Sequence, residues 1–210
     1  MSKHFITLVF CLFSICGYIN RGWCNNTNYY FKQIAIENGL SQSSINSILC
    51  DRKGMLWIGT KAGLNCFDQY ELKNYFNDKE NPRSLPGNFI NFIAEDQEGH
   101  IWVSTNNGVA LYNPENNSFD LLIKEKAFCY LNVPGQLLIG TTNAIYKYDQ
   151  NSKQIGKVDF QPDHQSYYEI IKLLSLSDHT VLVATKNYGL FTYDLQTDKI
   201  EKLPYADYTA

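Results

Sequence analysis

At 210 residues, with 44% apolar and 14% aromatic side chains, the chain is long enough to bury the core of an ordinary domain, and its 15 Tyr and 12 Phe favour strands over helices. A net charge of −3 is close to balance. It predicts no basic face, so nucleic acid is excluded as an expected partner.

Residues 1–24 differ from everything after them. Lys3 and His4 precede an apolar run over residues 5–18, too short to span a bilayer comfortably but of signal-peptide length. The stretch reads as a secretory signal, with a retained anchor or a buried first strand as the alternatives. No later segment is long and apolar enough to cross a membrane, so any membrane attachment is expected through this signal or through sequence beyond residue 210. Of six cysteines, Cys11, Cys16 and Cys24 fall in or at the end of this region. Cys50, Cys66 and Cys129 are expected as three buried thiols, because strands one and three of a meander stand about 10 Å apart, beyond disulfide reach.

Residues 29–36 read as a strand that precedes the first repeat and would pair, in a closed ring, as the outer strand of the last blade. The repeat itself begins beyond it. Asp51, Gly54, Trp57, Thr60 and Gly63 recur at a constant offset of 45 as Asp96, Gly99, Trp102, Thr105 and Gly108. Asp at the first position and Gly at the fourth suit a tight turn in which the Asp caps backbone amides and the Gly takes a left-handed conformation. Strands follow over residues 55–60 and 100–105, then a polar break, then strands over 64–67 and 109–112. Residues 45–50 and 90–94 supply a first strand and residues 71–76 and 118–123 a fourth.

Each unit is therefore a four-stranded antiparallel meander of the size of one β-propeller blade. A third, degenerate unit carries Leu138 and Thr141 at the Trp and Thr positions, and a fourth carries Leu182 and Thr185. The expected fold is all-β, with about four blades at residues 40–77, 85–123, 127–160 and 168–203, making residues 25–210 a partial β-propeller. Blades bury their apolar faces on their neighbours, so a stack of four predicts a larger ring rather than a self-contained one.

The pattern Asp-x-x-Gly-x-x-Trp-hydrophobic-x-Thr-x-x-Gly-hydrophobic resembles the repeat of the two-component regulator propeller family. The lead-in over residues 31–41 is similar to the opening of that family's first repeat, and the resemblance covers roughly residues 31–203. It implies a seven-bladed propeller in the periplasmic sensor region of a bacterial hybrid histidine kinase, held as a homodimer at the inner membrane. It also implies the mechanism: an oligosaccharide or similar nutrient binds at a propeller rim and biases a kinase across the membrane. The kinase's own motifs are absent from these residues, so no catalysis is expected of them.

The residues themselves agree with a non-enzymatic reading. No nucleophile elbow, phosphate loop, zinc-binding helix or dinucleotide fingerprint occurs, and no Cys or His pair has ligand spacing, so neither metal nor cofactor is expected. His100 reads as a strand-surface histidine, Asp96 as a turn residue, and Trp57 and Trp102 as packing between blades. Repeated residues describe the scaffold; ligand specificity belongs to loops that vary.

The link into each first strand and the link between strands two and three are expected on one rim. They offer Gln42, Ser43, Lys61, Asn88, Asn106, Asn107, Asn143, Lys186, Asn187 and Tyr188 as candidates for a polar ligand such as a carbohydrate. The plainer reading is that Asn favours tight turns anyway. Two other classes remain open. A secreted carbohydrate-active propeller enzyme, a lyase or glycosidase, needs an off-register cluster of His, Tyr or carboxylates. A protein-interaction scaffold needs an exposed apolar rim, for which Phe89 and Tyr188 are the candidates.

Overall fold

The computed structural model describes residues 31–161, 167–186 and 188–204. Residues 1–33 separate as one unit and Ile34–Ala210 as another, and the architecture below is that of the second. The expected signal at residues 1–24 and the candidate Asn187 lie outside the described residues.

Among the described residues the named strands form four antiparallel sheets, each a meander in chain order. Blade 1 is β1 (Ile45–Cys50), β2 (Leu56–Thr60), β3 (Gly63–Phe67) and β4 (Leu72–Tyr75). Blade 2 is β5 (Ile90–Glu95), β6 (Ile101–Thr105), β7 (Gly108–Asn113) and β8 (Ser118–Ile123). Blade 3 is β9 (Ala127–Val133), β10 (Gln136–Thr141), β11 (Ala144–Asp149) and β12 (Ile155–Asp159). Blade 4 is β13 (Ile170–Ser175), β14 (Thr180–Thr185), β15 (Gly189–Asp194) and β16 (Ile200–Lys202). Among the described residues no helix is long and apolar enough to cross a membrane.

The blades stack through their first strands: β1 packs against β5, β5 against β9, and β9 against β13. Close approach here depends on a small residue near the end of each second strand. A Cβ on Gly59 would sit 2.5 Å from Ile90, and one on Gly140 would sit 2.7 Å from both Ile170 and Cys129. Blade 2 has Ser104 at this position, and its hydroxyl donates to the Ala127 carbonyl of blade 3 at 2.9 Å. Each first strand also shifts register near its start, between Ile45 and Ser47, between Ile90 and Phe92, opposite Gly140 and Thr141, and between Ile170 and Lys172. A bulge of this kind bends and twists the strand locally.

Apolar side chains from facing blades form the core. Trp57, Leu64, Leu85, Ile90 and Val103 join blades 1 and 2; Trp102, Val109, Leu137 and Tyr148 join blades 2 and 3; and Leu138, Ile145, Leu173, Val183 and Phe191 join blades 3 and 4. With about 25 cal/mol gained per Å² of apolar surface removed from water, these shared faces are the chief source of stability.

Of the strand expected over residues 29–36, residues 29 and 30 lie outside the described residues. Residues 31–35 form no strand, and Ile36–Asn38 is a single 3-10 turn. Residues 39–41 instead lie on blade 1, and the cause is Asn65, a fully buried polar residue where blade 2 has Ala110. The Asn65 carboxamide accepts from the Ser41 amide at 2.8 Å and donates to the Ser41 hydroxyl at 2.9 Å and to the Ile58 carbonyl at 3.0 Å. Ser41 also meets the Thr60 hydroxyl at 2.9 Å. A buried amide left without these partners would be costly, so the lead-in is held by polar satisfaction rather than by strand pairing.

The cysteines also depart from expectation in one respect. All three described thiols are free and Cys66 and Cys129 are buried, but Cys50 is exposed. It lies on β1 with Ile48, which is 61% exposed, while Leu49 on the opposite side of the strand packs toward blade 2.

Candidate functional site

The Asp–Gly turns build one rim. In blade 1, Asp51 Oδ1 accepts from the amides of Lys53 and Met55, both at 2.9 Å, and Oδ2 accepts from the Trp57 indole N–H at 2.9 Å. In blade 2, Asp96 Oδ1 accepts from the amides of Glu98 and His100, both at 2.9 Å, and Oδ2 from Trp102 at 3.1 Å. Gly54 and Gly99 close these turns at φ of 82° and 91°, where a Cβ would be strained. His100 stands one residue before β6, and its Nδ1 lies 3.1 Å from Asp96 Oδ2. Burial pushes the Asp96 carboxyl up, but the Trp102 indole, the His100 amide and the His100 ring together hold it below the usual carboxylate range.

Thr60, Thr105, Thr141 and Thr185 each donate a hydroxyl hydrogen to the carbonyl that opens the third strand, at 2.9, 3.0, 3.1 and 2.9 Å. Gly63 and Gly108 accept these bonds at φ of 128° and 139°.

The loops singled out by their polar composition lie at the other end of the sheets. In blades 1, 2 and 4 the amide after the second strand donates to the carbonyl before the first, Lys61 to Ser44, Asn106 to Phe89 and Lys186 to Glu169, whereas the Asn143 amide of blade 3 donates across to the Tyr168 carbonyl ahead of blade 4. Their side chains are largely occupied in shaping the loops. Gln42 accepts from the Ser44 amide at 2.6 Å, Asn88 from the Asn77 amide at 2.6 Å, and Asn143 from the Tyr168 amide at 2.5 Å. Asn106 donates to Asn107, which donates to the Pro86 carbonyl. Lys186 pairs with Glu169 at 2.9 Å, and the half-buried Tyr188 packs its ring against Tyr168. Ser43 and Lys61 are exposed.

A groove of about 610 Å³ opens on the Asp–Gly rim between blades 1 and 2. Its floor is aromatic: Tyr112 meets Trp57 edge-on at 5.0 Å and Tyr75 at 5.8 Å. The two tyrosine hydroxyls lie 3.2 Å apart. Asn117 Oδ1 collects Tyr112 at 2.8 Å, Tyr75 at 3.3 Å and the Lys73 ammonium at 2.7 Å. Burial, with the Tyr112 hydroxyl beside it, pushes the Tyr75 phenol well above its ordinary value. Burial, together with Asp51 and Asp68, lifts the Cys66 thiol to about 11, so this lining cysteine is no thiolate at neutral pH. Lys53, Glu71 and Glu98 border the opening. Among the described residues no cluster of three or more His, Cys, Asp or Glu is placed to hold a metal ion.

The residues of this groove other than the repeat itself were not singled out from the sequence. A signal was there: an aromatic stands ten residues past the Trp position in three units, as Phe67, Tyr112 and Tyr148. Tyr148 meets Trp102 edge-on at 4.7 Å, as Tyr112 meets Trp57.

Four-stranded antiparallel meanders stacked through their first strands define the class of protein, a β-propeller. Residues 39–62 and 84–107 match the model of the two-component regulator propeller, so the chain carries repeats of that family. Histidine kinase P4 of Formosa agariphila is 45% identical over 60 residues, which are 29% of this chain and 4% of that protein. Among solved structures, the extracellular domain described as that of the hybrid two component system BT3049 of B. thetaiotaomicron is similar at a TM-score of 0.72 and 22% identity. That likeness covers 83% of this chain and 26% of the other. The corresponding domain of BT4673 from the same organism gives 0.66 and 20%, over 79% and 23%. The WD40 propeller domain of Doa1 gives 0.52 and 12%, over 76% and 54%. At these identities the likeness is one of fold. The chain spans only a small part of the kinase and about a quarter of the two extracellular domains.

Proposed function

We propose that the chain is part of a ligand-sensing propeller in the periplasmic region of a hybrid two-component sensor anchored in the inner membrane. The reading is carried by the two segments that match the family model, together with the 60 residues that are 45% identical to a histidine kinase and span 4% of it. The fold shared with extracellular domains of two-component systems supports the same placement. In this reading the residues here bind and transmit, and the phosphotransfer chemistry belongs to other parts of the protein.

Further blades are part of the proposal, within a seven-bladed ring. Leu174, Leu182 and Leu190 of blade 4 occupy the positions of Leu131, Leu138 and Ile145 of blade 3, by strand register. The blade 3 residues pack into the core shared with blade 4. Leu174 and Leu190 are instead 47% and 45% exposed, the surface that a following blade covers. The ligand is an oligosaccharide or a similar small polar nutrient, and signalling follows if it binds one state of a sensor homodimer more tightly than the other.

The test is a transcriptional reporter under control of the sensor, with cells grown on a panel of plant, algal and host polysaccharides. Induction by one polysaccharide that disappears when the propeller region is deleted is the expected result. Silence across the panel, or induction that survives the deletion, refutes the reading.

A further inference from the structure

The mouth of the groove between blades 1 and 2 differs from the equivalent place between blades 2 and 3 at two residues. The third residue of each Asp–Gly turn faces the left-handed residue of the third-to-fourth-strand turn in the next blade. Between blades 2 and 3 these are Glu98 and Lys153, and their ion pair bridges the gap. Between blades 1 and 2 the same positions hold Lys53 and Asn117. Asn117 is short and bonds Lys73 and Tyr75 of blade 1 beside its own Tyr112, so the gap is crossed at the floor of the groove and not at its mouth between positions 53 and 117. A second crossing, Arg52 to Glu95 at 2.8 Å and to the carbonyls of Asp96 and Gln97, passes on one side, and a space of about 610 Å³ is left above the floor. That volume is in the range of about 300–1,000 Å³ typical of small-molecule sites.

We propose that this groove is a binding site for a neutral saccharide, on the opposite rim from the polar loops; the assignment rests on the sensing role above. The bordering charges are of both signs, Lys53 and Lys73 against Glu71 and Glu98, so the opening selects neither an anion nor a cation. A polyol answers both, since its hydroxyls donate to carboxylates and accept from ammonium groups. Beneath them Tyr112 and Tyr75 offer apolar ring edges with two hydroxyls and Asn117 close by, a floor on which a sugar ring lays its C–H face while its hydroxyls reach polar partners.

The test closes the mouth of the groove, keeps the aromatic floor and gives up the Asn117 hydrogen bonds. The double variant Lys53→Glu, Asn117→Lys installs the ion pair found between blades 2 and 3. Wild-type and variant full-length periplasmic regions are probed on an array of short neutral gluco-, xylo-, manno- and galacto-oligosaccharides, with the thermal midpoint recorded for each protein. Binding by the wild type that weakens at least about tenfold, or roughly 1.4 kcal/mol, in a variant no less thermostable is the expected result. Tyr112→Phe, which keeps the ring and drops the hydroxyl, is expected to weaken the same glycan. No array binding by the wild type overturns the site, and so does binding that the closed variant retains while Lys61→Ala or Asn106→Ala abolishes it. Groove-dependent binding with a silent reporter counts against the sensor role alone; an active reporter indifferent to groove closure counts against the groove alone.

Discussion

Replacing Asp96 with alanine isolates the interaction that the repeat is built on. The Asp96 side chain is fully buried, as is Trp102. Removing the carboxylate strands the indole N–H where water cannot reach it, at about 2 kcal/mol, within the 1–3 kcal/mol of an unsatisfied buried donor. The turn amides of Glu98 and His100 lose a cap, worth about 1 kcal/mol more, partly recovered because the turn meets water. The sum, about 3 kcal/mol, is a large share of the roughly 5–15 kcal/mol that holds a domain of this size. Asp51→Ala is expected to cost less, because Asp51 and Trp57 are 8% and 3% exposed at the edge of the groove.

The pH dependence provides a second handle on the same carboxylate. Because Asp96 titrates below its ordinary value when folded, its contribution is complete above the unfolded value near 4 and is lost as the pH falls through the folded one. Urea unfolding followed by tryptophan fluorescence should therefore show a gap between wild type and Asp96→Ala that is constant from neutral pH down to about 5 and narrows below about 4. A gap under about 1 kcal/mol at neutral pH, or one that does not narrow in acid, refutes the argument.

Gly140→Ala places a methyl 2.7 Å from both Cys129 and Ile170 and should lower stability by about 1–3 kcal/mol in chemical denaturation; an unchanged midpoint would mean that blades 3 and 4 are not in close contact. Asn65→Ala removes the buried amide that holds Ser41, at a cost of about 1–3 kcal/mol, and should expose residues 36–41 to limited proteolysis, read by mass spectrometry of the first cleavage products. In the native protein at pH 8, a thiol reagent should label Cys50 but neither Cys66 nor Cys129, whose thiols burial lifts to about 11 and about 12; peptide mapping that finds either one labelled would contradict the packing. Lys147→Met should change stability by under about 0.5 kcal/mol, since its partner Asp198 is 46% exposed, and any loss should vanish in high salt.

The repeat was legible because its signals are local. The Asp–Gly turn, the strand alternation and the Thr–Gly turn each depend on residues within a few positions, so Asp51 to Gly63 and Asp96 to Gly108 announce their hairpins in any context. Even Pro134-Gly135, which replaces the Asp turn in blade 3, is legible as a two-residue hairpin between Val133 and Gln136. The bond from Asp51 to Trp57 was hidden by the same locality. Composition marks Asp as a cap and Trp as core, but only the fold shows that one carboxylate serves both.

The place of residues 39–41 was illegible for the opposite reason. Ser41 lies on blade 1 because Asn65, twenty-four residues further on, needs partners there, and no local pattern announces that pairing. The polar loops illustrate a third case. Gln42, Asn88 and Asn143 are polar as the sequence shows, but whether a polar side chain faces a ligand or caps its own loop depends on an amide that only tertiary structure brings near.

Sequence by itself thus determined the number of units, their strand order and the turn that starts each hairpin, because each is set by backbone preferences over a few residues. Tertiary structure decided what lies between units. Lys153 meets Glu98 across 55 residues of chain, while at the same places between blades 1 and 2 Asn117 bonds Lys73 and Tyr75 beneath Lys53, and a groove is left above them. Side chains that far apart in sequence carry no mutual signal until the stacking of first strand on first strand fixes which of them face each other.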